Sequence, residues 1–379
     1  MSEQRTLDRN DLDHLYRALA GRGYTVVGPT VRDGAVVYEE LAGFGELPVG
    51  WTDRQEAGTY TLERRDDGAV FGFAAGPHSP KRFLHPAEVT VWSGTRRDGG
   101  FAATPPESPP RYAFVGVRAC DLAAIAVQDA VFLGGAQRDR VYGERREGAF
   151  VVAVNCTTPG GTCFCASMGT GPRARDGFDL VLTEVIDCEG HVFLVESGSD
   201  LGSEVLADLP TTAADPSVVA AAERSLEEAV RTMGRRLDTD DLQDLLQRNA
   251  DHPRWAETAR RCLTCGNCTL VCPTCFCATV EDGTSLDGLA AWRTRRWDSC
   301  FNLEFSYIHG GSMRVSGAAR YRHWITHKLS TWVDQFGMFG CVGCGRCITW
   351  CPVGIDIVEE VGVVRATEEV ARVRASGIP

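Results

Sequence analysis

The chain has 379 residues, room for two or three domains, with 44% hydrophobic and 24% charged residues, the make-up of an ordinary globular protein. Its formal net charge of −12 speaks against a general nucleic-acid role, because phosphate backbones are held by basic faces. The opening MSEQRTLDRNDLDHLY is polar, and no run of about 18 uncharged apolar residues occurs, so neither a signal segment nor a membrane span is expected and the protein reads as cytosolic. Only Lys81 and Lys328 among the 39 basic residues are lysines, which reads as compositional bias without functional content.

In chain order, residues 8–24 read as a short amphipathic helix with Leu12, Leu15 and Leu19 on one face. Residues 24–41 read as two strands about Asp33-Gly34, and residues 58–74 as a second such pair about Asp67-Gly68. The Pro/Gly/Ser-rich tract from Gly94 to Arg111 reads as a loop. RYAFVGV and GAFVVAVN are continuous apolar runs suited to buried strands, with the helical pattern CDLAAIAVQDAVFL between them. That order predicts a βαβ unit with parallel, neighbouring strands. Residues 179–197 read as a hairpin, with Cys188 incidental at its turn, and residues 198–261 as charged amphipathic helices.

Two runs then repeat one pattern, C-x-x-C-x-x-C-x-x-x-C-P. The first holds Cys262, Cys265, Cys268 and Cys272 before Pro273; the second holds Cys341, Cys344, Cys347 and Cys351 before Pro352. Disulfides are rare in a reducing compartment, and zinc favours separated C-x-x-C pairs, so eight thiolates at this spacing point to two [4Fe–4S] clusters. Three closely spaced cysteines wrap one cube. The fourth, expected to start a short helix pointing away, reaches the other. The assignment is Cys262, Cys265, Cys268 and Cys351 for one cluster, and Cys341, Cys344, Cys347 and Cys272 for the other. Gly266, Gly343 and Gly345 would let backbone N–H groups approach the sulfurs. Trp350 reads either as a shield for a cluster or as ordinary packing.

Cys120 lies where the first parallel strand meets its helix; Cys156, Cys163 and Cys165 follow the second. The carboxyl ends of parallel strands share one sheet edge, where α/β folds place ligands, so these four should converge. A helix N-terminus and Arg118 would favour a thiolate at Cys120. Three readings stay open: a third iron–sulfur cluster, a redox-active or substrate-handling thiol site, and buried structural cysteine. Cys275, Cys277 and Cys300 read as crowding near a cluster, with a further ligand set or a thiol pair as the sharper alternative. His323 and His327 share a helix face without a following Glu and, like His309, read as packing or surface residues. No G-x-G-x-x-G follows a strand, and no phosphate loop, Ser-His-Asp set or nickel-type cysteine pair occurs, so the chain itself is expected to hold neither a nicotinamide nor a catalytic nickel centre, and no catalytic residue is assigned.

The blocks GVRACDLAAIAVQDAVFL, NCTTPGGTCFCASMGTGP, WDSCFNLEFSYIHGG, RYRHWITHKL and FGCVGCGRCITWCPVGID together resemble the dicluster iron–sulfur (β) subunit of soluble NAD(P)-linked [NiFe] hydrogenases, or sulfhydrogenases. The electron-transfer (A) subunit of anaerobic sulfite reductase belongs to the same family. The resemblance implies electron transfer from an NAD(P)/FAD flavoprotein subunit to the hydrogenase small and large subunits, or to a sirohaem sulfite reductase subunit. A reading from another class is a sulfur or polysulfide reductase acting at the non-ferredoxin cysteines. The expected fold is α+β: an N-terminal mixed α/β domain over 1–198 with a parallel βαβ unit, a helical connector over 199–260, and a bacterial-type 2[4Fe–4S] ferredoxin-like domain over 261–379. A long insertion from Pro273 to Gly340 separates its two runs.

Overall fold

The computed structural model describes residues 4–97, 99–105, 108–187 and 190–376, so Cys188 lies outside the described residues. The fold is mixed α/β with the cysteine runs towards the C-terminus. Strand β1 (Arg5–Asp8) leads into helix α1 (Leu12–Gly21), which buries Leu12, Leu15 and Leu19 as its spacing predicts. Strands β2 (Thr25–Arg32) and β3 (Ala35–Glu40) pair antiparallel. Asp33 and Gly34 between them both adopt positive φ, 49° and 76°, the conformation a two-residue hairpin turn demands.

The second pair differs from expectation. Strands β4 (Trp51–Glu56) and β5 (Thr59–Arg64) form a hairpin about Ala57 and Gly58, one step earlier than Asp67-Gly68. The apolar residues Ala69 to Phe73 after Asp67 are buried as irregular chain, with Val70 and Phe71 donating their N–H groups to the Glu184 carboxylate instead of to a strand. Helix α2 (Lys81–Leu84) follows. Strands β6 (Glu88–Arg97) and β7 (Gly100–Thr104) then take up half of the tract read as a loop, as an exposed antiparallel ribbon. The alternation of β6 lies over Glu88–Ser93, before that tract, and the Gly and Pro content after it masks the ribbon.

Strand β8 (Tyr112–Arg118), helices α3 (Ala119–Phe132) and α4 (Arg140–Glu147) and strand β9 (Phe150–Val154) come next, with β8 and β9 adjacent and parallel. Strands β10 (Leu180–Ile186) and β11 (His191–Ser197), helix α5 (Asp200–Ala207) and the short strand β12 (Thr211–Ala213) complete an eight-stranded sheet in the order β12-β1-β11-β10-β9-β8-β2-β3. Residues of β8 alternate between opposite layers up to a bulge at Gly116, which turns Val117 to the second: Ala113 and Val115 pack with α1, while Tyr112, Phe114 and Val117 pack with α3 and Tyr142 of α4.

Helices α6 (Pro216–Thr232), α7 (Leu242–Arg248) and α8 (Arg254–Arg261) lead to the first cysteine run. Asp215 caps α6 and Pro216 occupies its first turn, a helix-start pairing. Helix α9 (Asn267–Leu270) lies inside that run. Between the runs, strands β13 (Ala278–Thr284) and β14 (Ala290–Trp297) join the earlier ribbon as a sheet β13-β14-β6-β7. Helix α10 (Gly317–Thr326), a π-helical turn (His327–Thr331) and α11 (Trp332–Phe336) follow. Helix α12 (Arg346–Thr349) lies inside the second run, and α13 (Ile357–Ser376) follows it. Among the described residues no helix is long and apolar enough to cross a membrane.

Candidate functional site

The two cysteine runs repeat as backbone, not only as letters. Thr264 and Gly343, two residues after the first cysteine, adopt φ of 52° and 64°; Gly266 and Gly345, four residues after it, adopt 74° and 76°. Each loop folds back so that an N–H meets the first sulfur, Thr264 N to Cys262 Sγ at 3.4 Å and Gly343 N to Cys341 Sγ at 3.5 Å. The third cysteine of each run lies in the short helix, Cys268 in α9 and Cys347 in α12, and the fourth follows that helix. The expectation that the fourth cysteine starts a helix is therefore corrected: proline after it disfavours helical backbone at that position. Gly343 and Gly345 also do something unforeseen. A Cβ at Gly343 would come within 2.7 Å of Cys165 Cα, and one at Gly345 within 2.5 Å of Thr162 Oγ1, so bare backbone lets the loop of residues 162–165 pack directly on the second run.

Cys351 lies with the first three cysteines of the other run: Cys262, Cys265, Cys268 and Cys351 line one cavity together with Cys347, with Phe301, Tyr321 and Trp324 on its wall. Tyr321 Oη and Trp324 Nε1 are buried there without a hydrogen-bond partner among the described residues. Two orphaned donors in a pocket of five thiols suit an acceptor-rich body with its own sulfurs. No three His, Cys, Asp or Glu side chains among the described residues close on a single ion, so these thiols surround a volume rather than a point. A cubane is such a body. Trp350 stacks on Tyr60 at 5.1 Å and is absent from the wall, so it packs rather than shields this cavity.

Cys272 goes with the second run. Burial pushes Cys341 up to about 12, and the nearby thiolates of Cys272 and Cys344 add to the rise. Burial raises Cys347 well above the ordinary thiol value, as do Cys341, Cys344 and Cys272. Three crowded thiols that resist ionisation, beside a Cys272 that its hydrogen bond from Cys275 holds low, become a stable tetrathiolate only around a cationic metal body. Arg346, in the same loop, forms a buried two-pronged pair with Asp121, 2.8 and 3.0 Å, both residues 1% exposed. Its remaining contacts are to the carbonyls of Gly76 and His78.

Cys120, Cys156, Cys163 and Cys165 line a cavity of their own, the third cysteine site, with Arg118 and Met233. Arg118 is buried; one of its nitrogens holds the carbonyls of Phe71 and Phe73, while Nε and Nη1 have no partner among the described residues. Against the expectation of a thiolate at Cys120, burial, then the Asp121 carboxylate, raise its pKa well above the ordinary value. Cys163 Sγ is 3.7 Å from the carbonyl oxygen of Cys344, so this cavity adjoins the second run.

Cys277 and Cys300 meet as a thiol pair, the hydrogen bond from Cys300 lowering Cys277 to about 7. Cys275 pairs in the same way with Cys272. His323 and His327 stack at 5.6 Å, half-buried, and burial lowers both to about 4. His309 lies at the tip of the short hairpin formed by residues 307–312. The sequence reading missed Tyr321 and Trp324, took Arg118 only as a neighbour favouring a thiolate at Cys120, and gave both lysines no function. Only the rarity of lysine offered a signal.

A family described as a 4Fe-4S dicluster domain matches residues 261–355. Over 264 residues the chain is 35% identical to sulfhydrogenase 2 subunit beta of Pyrococcus furiosus, covering 67% of this chain and 74% of that one. No solved structure matches.

Proposed function

The chain belongs to the family of sulfhydrogenase beta subunits and carries a 4Fe-4S dicluster domain, and from that premise we propose that it relays electrons between a flavoprotein that oxidises NAD(P)H and a [NiFe] hydrogenase module. Cys262, Cys265, Cys268 and Cys351 would hold one [4Fe–4S] cluster, and Cys272, Cys341, Cys344 and Cys347 a second. We assign Cys120, Cys156, Cys163 and Cys165 to a third. A bound cluster supplies reversible one-electron storage; the polypeptide fixes its place, keeps water out and sets the charge around it.

One observation carries the reading: the cysteine sites form a contiguous row. Cys265, at one end, is exposed. Cys268 lies close enough to Cys272 to sense its charge, linking the first site to the second. Cys344 stands in the same relation to Cys120 and Cys163, linking the second to the third. A row that starts at the surface and runs inward suits conduction between partners. The unpartnered Arg118 nitrogens favour an anionic occupant in the third cavity over bare structural cysteine. The division into residues 1–198, 199–260 and 261–379 is kept as part of this reading.

Anaerobic purification from the native host, with mass spectrometry of what accompanies the chain, tests the relay. A nickel–iron large subunit beside a flavoprotein is expected. A sirohaem protein in their place would move the relay into sulfite reduction, and a solitary chain that reduces polysulfide would replace the relay with an enzyme. Iron analysis of Cys163→Ser tests the third site: a loss of one cubane's iron is expected, and unchanged iron would remove that site from the relay.

A further inference from the structure

Both lysines of the chain converge on one place. Lys81, from α2, is 5% exposed and Lys328, on the π-helical turn, 3%. Lys81 Nζ donates to the carbonyls of Leu270 at 3.2 Å, Cys272 at 2.8 Å and Cys275 at 3.4 Å, and lies 3.9 Å above the Trp297 ring. Lys328 Nζ donates to Thr274 Oγ1 at 2.8 Å and the Gly340 carbonyl at 3.2 Å. Thr274 Oγ1 is itself 3.1 Å from Cys272 Sγ. Two elements far apart in sequence thus place an ammonium each on the Cys272 arm. π-Helical turns cost backbone geometry and recur where a side chain must be aimed.

Neither ammonium pairs with a carboxylate among the described residues. Burial works against both charges and lowers Lys81 to about 8 despite the thiolates of Cys275 and Cys272, whereas at Lys328 the thiolates of Cys272, Cys275 and Cys341 outweigh burial and raise it well above the ordinary value. An unpaired ammonium this deep is costly unless an anion balances it. Arg346 does not supply the same charge, because Asp121 already neutralises it. A cubane in four thiolates is anionic and gains a further negative charge on reduction, so fixed positive charge favours its reduced state.

We propose that Lys81 and Lys328 are positioning residues for the cluster held by Cys272, Cys341, Cys344 and Cys347: they hold its Cys272 arm and raise its reduction potential. This rests on the ligand assignment above. The test is an EPR-monitored redox titration of the anaerobically purified full chain, the signal being assigned by its loss in Cys341→Ser. In Lys81→Gln and Lys328→Gln, which keep a donor but lose the charge, the reduction equilibrium of this cluster should fall on the order of tenfold each, 59 mV for a one-electron couple. Lys→Arg at either position should restore it, and the cluster reached by Cys351 should move less. Iron lost from this site in the Gln variants but kept in the Arg variants would support the same role for charge. Intact clusters with unchanged potentials would overturn the proposal, as would equal iron loss in the Gln and Arg variants, which would leave the lysines as shape alone. A parent chain with a single [4Fe–4S] signal would instead bring down the ligand assignment, and this inference with it.

Discussion

Arg346 and Asp121 join the second cysteine run to the turn that carries Cys120, at 1% exposure each. Removing one partner leaves an uncompensated buried charge, so Asp121→Ala should destabilise the protein by about 3–5 kcal/mol in anaerobic urea unfolding. Replacing both residues with apolar ones should cost clearly less than Asp121→Ala alone; an additive loss would mean that the pair is not the unit. Crossed ligation gives a second residue-level expectation. Cys351→Ser should abolish the EPR signal of the cluster held by Cys262, Cys265 and Cys268 and spare the one held by Cys341, Cys344 and Cys347. Loss of the second signal instead would show that each run keeps its own fourth ligand. The cysteines were legible in sequence because cluster ligands are set by chemistry at short spacing. Tyr321 and Trp324 were not, and Arg118 was legible only as a neighbour of Cys120, because an orphaned donor is defined by what surrounds it after folding, not by its neighbours in the chain.

Elements were legible where a local rule decides. The hairpin of β2 and β3 announced itself through Asp33-Gly34, and α1 through three leucines. The residues after Asp67 misled because the same dipeptide there precedes a buried irregular segment whose N–H groups are taken by Glu184, a residue more than a hundred positions away. Short α2 hides another long-range effect. His85, at its end, is 1% exposed, stacked between Phe132 at 4.8 Å and Trp297 at 6.1 Å, and neither ring nitrogen has a partner among the described residues. Burial, with Arg295 and Lys81 adding to it, lowers its pKa from 6.5 to about 3. The unfolded chain therefore takes up this proton first as pH falls. Stability from the neutral ring is full above pH 6.5 and is lost on descending towards pH 3, at no more than about 1.4 kcal/mol per pH unit. Melting temperatures of the parent and His85→Phe should converge or cross over that window. Parallel curves would place the acid sensitivity elsewhere.

At the scale of the molecule, two cores have different sources. The eight-stranded sheet is packed on both faces by ordinary aliphatic and aromatic side chains from α1, α3, α4 and α5. The second core interleaves Trp255, Tyr321, Trp324 and Leu329 with Cys262, Cys268, Cys341, Cys347 and Cys351. Its apolar residues thus close around the sites the clusters would fill. Left unfilled, such a core would leave the atoms lining it without packing partners on one side. Metal binding there is folding energy. Anaerobic removal of iron with a chelator should therefore collapse the near-UV circular dichroism contributed by Trp324 and Trp332, while the far-UV signal of the sheet persists to a separate, higher melting transition. The eight-stranded sheet is tied to the cluster region by the Arg346–Asp121 bridge from α3, and the segment between β5 and β8 by β6 pairing with β14 in the separate four-stranded sheet, so some loss of the sheet's melting temperature is expected too. A single cooperative loss of both signals on chelation would mean that those ties make one folding unit, with the clusters supporting the sheet as well as the core around them.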